Sequence, residues 1–139
     1  MLVCDAGGNT DVGHFGELMA LDARAQGVVG LLIDGSVRDS GSVAELGFPV
    51  FHVGLAPRAA AKERTGSAGE PIVLRGVAVQ PGDQVVADRD AVLVVPRADW
   101  PDVCAAAEAL VEREAGIRAA LAEGRRLADV LGLSVRGET

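Results

Sequence analysis

The stretch VVGLLIDGSVRD, residues 28–39, decides the fold class. Its first half, residues 28–33, is an uninterrupted apolar run, which is typical of a strand buried on both faces in a parallel sheet. Asp34-Gly35 is expected to end this strand, because aspartate followed by glycine favours a turn. Residues 36–41 are then predicted to form a polar loop that carries Arg38 and Asp39.

The segments around this stretch alternate between strand and helix patterns. Residues 2–4 are apolar and precede Gly7-Gly8-Asn9, which predicts a strand that ends in a turn. Residues 16–26 have the apolar spacing of an amphipathic helix that stops at Gly27. A short helix at residues 42–46 and a strand at residues 49–53 complete the first half. This alternation indicates an α/β fold.

The second half is predicted to be antiparallel β followed by helix. After a loop over residues 56–70, short strands are expected at residues 71–74, 77–79, 84–87 and 92–95, separated by turn-forming sequences. Residues 99–131 form a C-terminal helical segment with weak points at Gly116 and Gly124. We predict a single domain over residues 1–139, short at its N-terminus because the chain starts inside a strand.

The composition argues against several classes of protein. The 139 residues carry 13 Lys and Arg against 20 Asp and Glu, a net charge of −7, and only 3% are aromatic. Nucleic-acid-binding surfaces need basic charge and aromatic platforms, so nucleic acid is not an expected partner. Cys4 and Cys104 suggest neither a disulfide scaffold nor a zinc site. No apolar run approaches the ~20 residues of a membrane span and no signal peptide is apparent, so we expect a cytoplasmic protein without membrane contact.

Two predicted loops follow strand ends, at residues 5–16 and 34–39, where ligands bind in open α/β sheets. The backbone N–H groups of residues 16–19 open a helix and favour an anion. Arg38 is suited to a carboxylate, while Asp39 and Glu17 are suited to a hard cation through water. These residues predict a pocket for an anionic, oxygen-rich substrate and Mg²⁺, although an Arg–Asp dipeptide in a loop is more often a surface ion pair.

The two histidines have no partner at a recognisable catalytic spacing. His14 lies in a Gly-rich loop, where it either lines the site or, as is more common, faces solvent. His52 lies within the predicted strand at residues 49–53 and is interpreted as structural.

Several segments together resemble the RraA-like family. They cover nearly all of residues 2–97 and read DAGGN at 5–9, GELMA at 16–20, GVVGLLIDGSVRD at 27–39, ELGFPVF at 45–51, GV at 76–77 and QPGDQVVAD at 80–88. That family contains 4-hydroxy-4-methyl-2-oxoglutarate and 4-carboxy-4-hydroxy-2-oxoadipate aldolases and the regulator of ribonuclease E activity. The resemblance implies an α-β-β sandwich with mixed sheets and a C-terminal helix.

The resemblance also implies roles for individual residues. Arg38 would bind the carbonyl and carboxylate of the pyruvoyl group, and Asp39 would be the carboxylate that anchors a divalent metal. The turn Gly16-Glu17-Leu18-Met19 would bind the substrate carboxylate through backbone amides. Glu17 would hydrogen-bond metal-bound water, a role that aspartate fills in many of the aldolases.

The choice of mechanism follows from the lysine content. Aldolases stabilise an enolate through a lysine Schiff base or a divalent metal, and the single lysine, Lys62, lies in a loop where it is expected to be solvated. We therefore expect a class II aldolase that uses Mg²⁺, with Mn²⁺ as an alternative. It would cleave 4-hydroxy-4-methyl-2-oxoglutarate-type substrates to pyruvate and have oxaloacetate decarboxylase as a second activity. The alternative is a non-catalytic, protein-binding regulator of ribonuclease, a branch that lacks the metal-site aspartate and is therefore disfavoured by Asp39.

The C-terminal segment suggests self-association. It carries apolar residues on or near one face, more than one short chain can obviously cover; they are Ala105, Ala109, Leu110, Ile117, Leu121, Leu127 and Leu131. The aldolases that resemble this sequence form trimers or hexamers with shared active sites, which implies a homo-oligomer here. Glu112 and Glu114 would then either reach a neighbour's site or, more commonly for such residues, remain solvated.

Overall fold

The computed structural model describes residues 1–61 and 66–133. The chain divides into two compact units, Met1–Arg97 and Ala98–Thr139. Lys62, expected to be a solvated loop lysine, lies outside the described residues.

The first unit contains two helices and eight strands among its described residues. They are β1 Leu2–Gly13, α1 Glu17–Ala25, β2 Leu31–Val37, α2 Ser40–Glu45, β3 Val50–Phe51, β4 Gly54–Leu55, β5 Ile72–Leu74, β6 Val77–Val79, β7 Gln84–Ala87 and β8 Val92–Val95. The second unit contains α3 Trp100–Ala122 and α4 Leu127–Val130.

Strand β2 is the centre of a parallel sheet. It pairs with β1 on one side, from Leu2 opposite Leu31 to Asp5 opposite Asp34, and with β3 and β4 on the other. All seven of its residues are buried, which confirms the prediction of a strand covered on both faces. The prediction that Asp34-Gly35 ends the strand was wrong, because β2 continues to Val37 and its pairing with β1 and β4 outweighs the local turn preference.

Strand β1 is longer than its sequence suggests. It passes through Gly7-Gly8-Asn9, where a turn was predicted, and reaches Gly13. Its register against β2 shifts twice, between Asp5 and Asn9 and between Asn9 and Gly13. Gly7 and Gly8 have positive φ angles of 65° and 69°, so the glycines form an irregularity inside the strand and do not end it.

The two faces of the parallel sheet are covered by different elements. Ala20 and Ala23 of α1 and Val43 of α2 pack with Leu31 and Ile33 on one face. The other core cluster joins Leu32 of β2 to Leu74 and Val79 of the hairpin β5–β6, with Val85 and Val94 of the hairpin β7–β8 beside it. Helices, sheet and hairpins form the three layers of an α-β-β sandwich, as predicted.

The hairpin β5–β6 is tied to the sheet by an ion pair. Its two-residue turn, Arg75-Gly76, has positive φ angles of 48° and 88°, as a type I′ turn requires. The guanidinium of Arg75 lies 3.0 Å from Oδ1 of Asp34, whose residue is only 8% exposed. The contact gives the buried carboxylate of β2 its counter-charge.

The second unit differs from the single helical segment predicted over residues 99–131. Helix α3 ends at Ala122, and Gly124, with a φ of 85°, separates it from α4. Gly116, the other expected weak point, lies inside α3 without interrupting it. Large apolar side chains on the two helices and at the C-cap of α4 are exposed; they include Val103, Leu110, Val111, Leu121, Leu127 and Leu131. The predicted homo-oligomer remains a prediction, and this surface is where it would be tested.

Across the described part of the chain, no helix combines the length and hydrophobicity required to cross a bilayer.

The turn between β7 and β8 contains an aspartate, Asp88, that should make the stability of the fold depend on pH in the acid range. The backbone N–H groups of Ala91 and Asp90 donate to Oδ1 of Asp88 over 3.0 and 2.8 Å, and these bonds lower the pKa of Asp88. Because the folded pKa lies below the unfolded value of about 3.9, this contribution to stability exists above that pH and is lost as the pH falls through the folded pKa.

Asp88→Asn keeps an acceptor oxygen in the turn but cannot titrate. Between about pH 6 and about pH 3, urea unfolding should show wild type losing more stability than this variant. Equal losses in the two proteins would contradict the role assigned to Asp88.

Candidate functional site

Arg38 and Asp39 directly follow the buried strand β2. Asp39 is the N-cap residue of α2 and has left-handed backbone angles, φ 55° and ψ 33°. Its carboxylate makes no capping bond to its own helix. Oδ2 of Asp39 instead lies 3.2 Å from Nη1 of Arg38, so the two predicted site residues form an ion pair at the end of the strand.

The start of α1 meets this pair. The backbone N–H of Glu17 donates to Oδ2 of Asp39 over 3.3 Å, and the N–H of Arg38 donates to the carbonyl of Phe15 over 2.8 Å. A carboxylate at a helix N-terminus is stabilised by the free N–H groups and the helix dipole. The structure therefore brings the backbone of Glu17, predicted to begin a helix, to Arg38 and Asp39, which were predicted to lie on a loop 21 residues later.

Glycines at positions 13 and 16 allow this close approach. A Cβ atom added at Gly16 would lie 2.6 Å from Oδ2 of Asp39 and 2.9 Å from Cγ of Arg38. A Cβ atom added at Gly13 would lie 2.6 Å from the carbonyl oxygen of Ala56 and 2.9 Å from Cβ of Arg38. All four distances are shorter than normal contacts of a Cβ atom, so a side chain at either position would push the site apart.

The site remains open to solvent. The side chains of Arg38 and Asp39 are 37% and 34% exposed, and Glu17 is half-buried.

The first turn of α1 has free backbone N–H groups. Leu18 and Met19 are exposed. The first hydrogen bond within the helix runs from the N–H of Ala20 to the carbonyl of Gly16. The N–H groups of Leu18 and Met19 thus have no acceptor within the helix, which suits the predicted role of this turn as an anion-binding element.

The donor set fits a magnesium ion that keeps most of its water. Within residues 1–61 and 66–133, no three or more His, Cys, Asp or Glu side chains form a group that could enclose a metal. Mg²⁺ does not need such a cage, since it is commonly held by one or two carboxylates together with water and substrate oxygens. The exposed carboxylate of Asp39, which accepts from the backbone N–H of Glu17, is compatible with that mode of binding.

The histidines lie outside this cluster. His14 is half-buried, and its backbone N–H donates to the carbonyl of Ser36 over 2.8 Å. Its ring packs against Gly35, where an added Cβ atom would lie 3.0 Å from Cδ2 of His14. Its Nε2 is buried and has no partner among the residues that the structure describes. His52, expected inside a strand, lies between β3 and β4 and is exposed, because the strand is only two residues long.

Sequence reasoning missed the segment 56–60, which was interpreted only as part of a loop. The N–H of Gly13 donates to the carbonyl of Arg58 over 2.7 Å, and Gly13 forms a parallel bridge with Ala59. This segment therefore lies against the same glycine as Arg38. Gly13 is a sequence signal of this close contact, because a Cβ atom there would lie 2.6 Å from the carbonyl oxygen of Ala56.

Comparison with known proteins gives consistent matches. The family model described as RraA-like, Aldolase/RraA, matches residues 1–94. An uncharacterized protein of Methanocaldococcus jannaschii is 35% identical over 126 residues, which cover 91% of this chain and 61% of that protein. A protein of Halalkalibacterium halodurans named "Putative 4-hydroxy-4-methyl-2-oxoglutarate aldolase" is 33% identical over 103 residues, covering 74% of this chain and 49% of its own.

A solved structure described as an RNase inhibitor family member is also similar to this chain. Streptomyces coelicolor RraAS2, described as an unusual member of the RNase ES inhibitor RraA protein family, superposes with a TM-score of 0.77 at 31% identity. The match covers 84% of this chain and 60% of RraAS2. This chain thus spans less than two thirds of the length of each of these three proteins.

Substitution by alanine should lower the free energy of unfolding by different amounts at Gly13 and Gly16. Gly13→Ala places its Cβ against the backbone carbonyl of Ala56, which cannot rotate away, and should lower the free energy of unfolding by about 1–3 kcal/mol. Gly16→Ala places its Cβ against the side chains of Asp39 and Arg38, which can move, and should lower it less.

Gly41→Ala is the matched control, because nothing lies within 4 Å of its added Cβ and the residue is helical. It should be neutral or stabilising by up to about 1 kcal/mol. Urea unfolding of the three variants checks the order. A Gly13→Ala protein as stable as Gly41→Ala would show that the two backbones are not in close contact.

Proposed function

Because the chain belongs to the RraA-like family, we propose that it is a divalent-metal-dependent, class II aldolase that releases pyruvate from 4-hydroxy-4-methyl-2-oxoglutarate-type substrates. The observation that carries the proposal is the exposed carboxylate of Asp39 beside the guanidinium of Arg38, both against the N-terminus of α1. Such a cluster offers a cation site and an anion site within one small region. The relative from Halalkalibacterium halodurans supports the same reaction class by its name.

Arg38 has the chemistry to orient the pyruvoyl end of the substrate. Its planar guanidinium can donate to the 2-oxo oxygen and to the adjacent carboxylate at once, which a point charge cannot do. The N–H groups of Leu18 and Met19 then complete the binding of that carboxylate. As the C3–C4 bond breaks, negative charge moves onto the 2-oxo oxygen, and a fixed guanidinium stabilises this charge better than water does.

Asp39 would hold the cation, and Glu17 would hold a water molecule of its shell. A divalent ion bound there supplies positive charge at the 2-oxo oxygen of the substrate. The Asp39 carboxylate is kept in place by the N–H of Glu17 and by Arg38, so it needs little reorganisation to accept the ion. The same residues would serve oxaloacetate, whose loss of CO₂ also leaves pyruvate enolate, and we propose that decarboxylation as a second activity.

The competing function is protein binding. The similarity to RraAS2, described as belonging to an RNase inhibitor family, makes a non-catalytic regulator the second candidate. Asp39 separates the two, because a regulator that works by contact alone has no need for an exposed carboxylate held beside Arg38.

The direct test is pyruvate release from 4-hydroxy-4-methyl-2-oxoglutarate. Purified protein with Mg²⁺ should release pyruvate, an excess of EDTA should stop the reaction, and Mg²⁺ or Mn²⁺ added back should restore it. Oxaloacetate is measured in parallel. No pyruvate from either substrate at any metal concentration would reject the aldolase and favour the regulator.

Asp39→Asn should abolish turnover while the protein stays folded. Asparagine tolerates the left-handed backbone of residue 39, so the variant removes the charge needed to hold the cation without adding strain. Pyruvate release is measured at saturating Mg²⁺, with the exposed Asp22→Asn on α1 as the control for loss of one charge. Activity within about threefold of wild type would contradict the role of Asp39.

Arg38→Lys should be severely impaired although the positive charge is kept. Lysine cannot span the carbonyl and carboxylate with a planar fork, and loss of such a contact typically costs about 10²–10³-fold in rate. Arg118→Lys, at an exposed ion pair on α3, is the matched control and should match wild type in steady-state kinetics. A kcat near wild type in Arg38→Lys would show that Arg38 does not stabilise the charge on the 2-oxo oxygen.

A further inference from the structure

A cavity of about 710 Å³ lies between the parallel sheet and the two hairpins. Its lining comes from β2, from residues 50–53, from the hairpin β5–β6 and from residues 88–94, whereas Arg38 and Asp39 lie outside it. Small-molecule sites usually have volumes of about 300–1,000 Å³. The cavity is therefore large enough to hold a ligand of its own, separate from the site after β1 and β2.

Apolar side chains form most of the cavity wall. They include Leu32, Phe51, Leu74, Val92 and Val94. Val94 packs against the core cluster that contains Leu32 and Leu74, and Val92 lies on the same face of β8, because alternate residues of a strand point to the same side. An apolar group is thus favoured in the cavity, since it removes these surfaces from water.

Asp34 and Arg75 place a pair of opposite charges in the same wall. Nη1 of Arg75 lies 3.0 Å from Oδ1 of Asp34 and is, within residues 1–61 and 66–133, the only hydrogen-bond donor to this carboxylate. The side chain of Asp34 is 10% exposed and that of Arg75 is 65% exposed. Oδ2 of Asp34 and the remaining N–H groups of Arg75 can therefore bond to a ligand, and a buried carboxylate gains from a second donor.

The other charged residues of the cavity argue against a ligand that carries only negative charge. Asp88, Arg89 and Asp90 also belong to the lining, so its described part contains three aspartates and two arginines. A simple anion would meet an excess of negative charge there. A ligand with one ammonium and one carboxylate group instead matches the adjacent opposite charges of Asp34 and Arg75.

We propose that this cavity binds an α-amino acid with a large apolar side chain, such as phenylalanine or leucine. The ammonium group donates to Oδ2 of Asp34, the carboxylate accepts from the free N–H groups of Arg75, and the apolar side chain packs on the wall of the cavity. A single carbon atom separates the two charged groups of an α-amino acid, so both can meet the ion pair at once. The inference is independent of the proposed function, because it uses neither Arg38 nor Asp39.

Four ligands separate the three contacts. L-Phenylalanine has all three groups, 2-phenylethylamine lacks the carboxylate, 3-phenylpropanoate lacks the ammonium, and glycine lacks the apolar side chain. Their affinities are measured by calorimetry on the full chain at neutral pH. L-Phenylalanine should bind about tenfold more tightly than each of the others, or better, because each of them loses a charged hydrogen bond or the burial of the ring. It should also raise the Tm of the protein.

Two variants assign the charged contacts. Asp34→Asn should weaken L-phenylalanine and 2-phenylethylamine about tenfold without weakening 3-phenylpropanoate. Arg75→Gln should weaken L-phenylalanine and 3-phenylpropanoate without weakening 2-phenylethylamine. The ligand that each variant still binds shows that the variant is folded. Arg113→Gln, on α3, removes one charge outside the cavity and should bind all four ligands as wild type does.

Two exposed valines of the hairpin β7–β8 test the cavity itself. Val92 belongs to the lining, whereas Val86 follows Val85, which packs against the core, and therefore points to the other face of the hairpin. Val92→Phe should fill part of the cavity and weaken L-phenylalanine about tenfold or more. Val86→Phe adds the same ring outside the cavity and should leave the affinity unchanged.

The measurements decide the proposal whether or not the protein releases pyruvate. Binding of L-phenylalanine that falls in Arg75→Gln and Val92→Phe, and persists in their controls, supports it. No binding of L-phenylalanine, or binding that survives Val92→Phe, overturns it. Equal affinity for 2-phenylethylamine would overturn it in favour of a site for apolar amines.

Discussion

The close approach of the end of β1 to the end of β2 is the constraint on which the site depends. Side chains are absent at Gly13, Gly16 and Gly35, and a Cβ atom at any of them would come within 3.0 Å of at least one neighbouring atom. The parallel pairing places the two strand ends at one edge, and the glycines let the loops after them touch. The ion pair of Arg38 and Asp39 and the amide of Glu17 converge for that reason.

Patterns of hydrophobicity predicted most of the elements, because they depend on burial that each segment shows by itself. The helix at Glu17–Ala25 and the four short strands of the hairpins match their predicted positions closely. The ends of β1 and β2 were not predictable in this way. Asp34-Gly35 and Gly7-Gly8 are locally turn-forming, and only the partner strand, distant in sequence, keeps them extended.

The site was predicted in part. Arg38, Asp39 and the start of α1 were identified from their positions after strands and from the family resemblance, and the structure brings them into contact. Segment 56–60 could not be identified, since its link to Gly13 is made by backbone groups that every residue possesses. Side-chain chemistry leaves a trace in a sequence, whereas backbone pairing between distant segments leaves almost none.

The turn Arg75-Gly76 has a consequence for the order of folding. Arginine is a poor choice for a left-handed turn position that asparagine or glycine would fill with less strain, so the isolated hairpin β5–β6 is weakly favoured. Its compensation is the contact with Asp34, a residue 41 positions earlier in the chain. A hairpin is normally a fast, local structure, but this one gains its full stability only once the parallel sheet has formed. The hairpin layer is therefore expected to consolidate late, after the sheet that carries the site is in place.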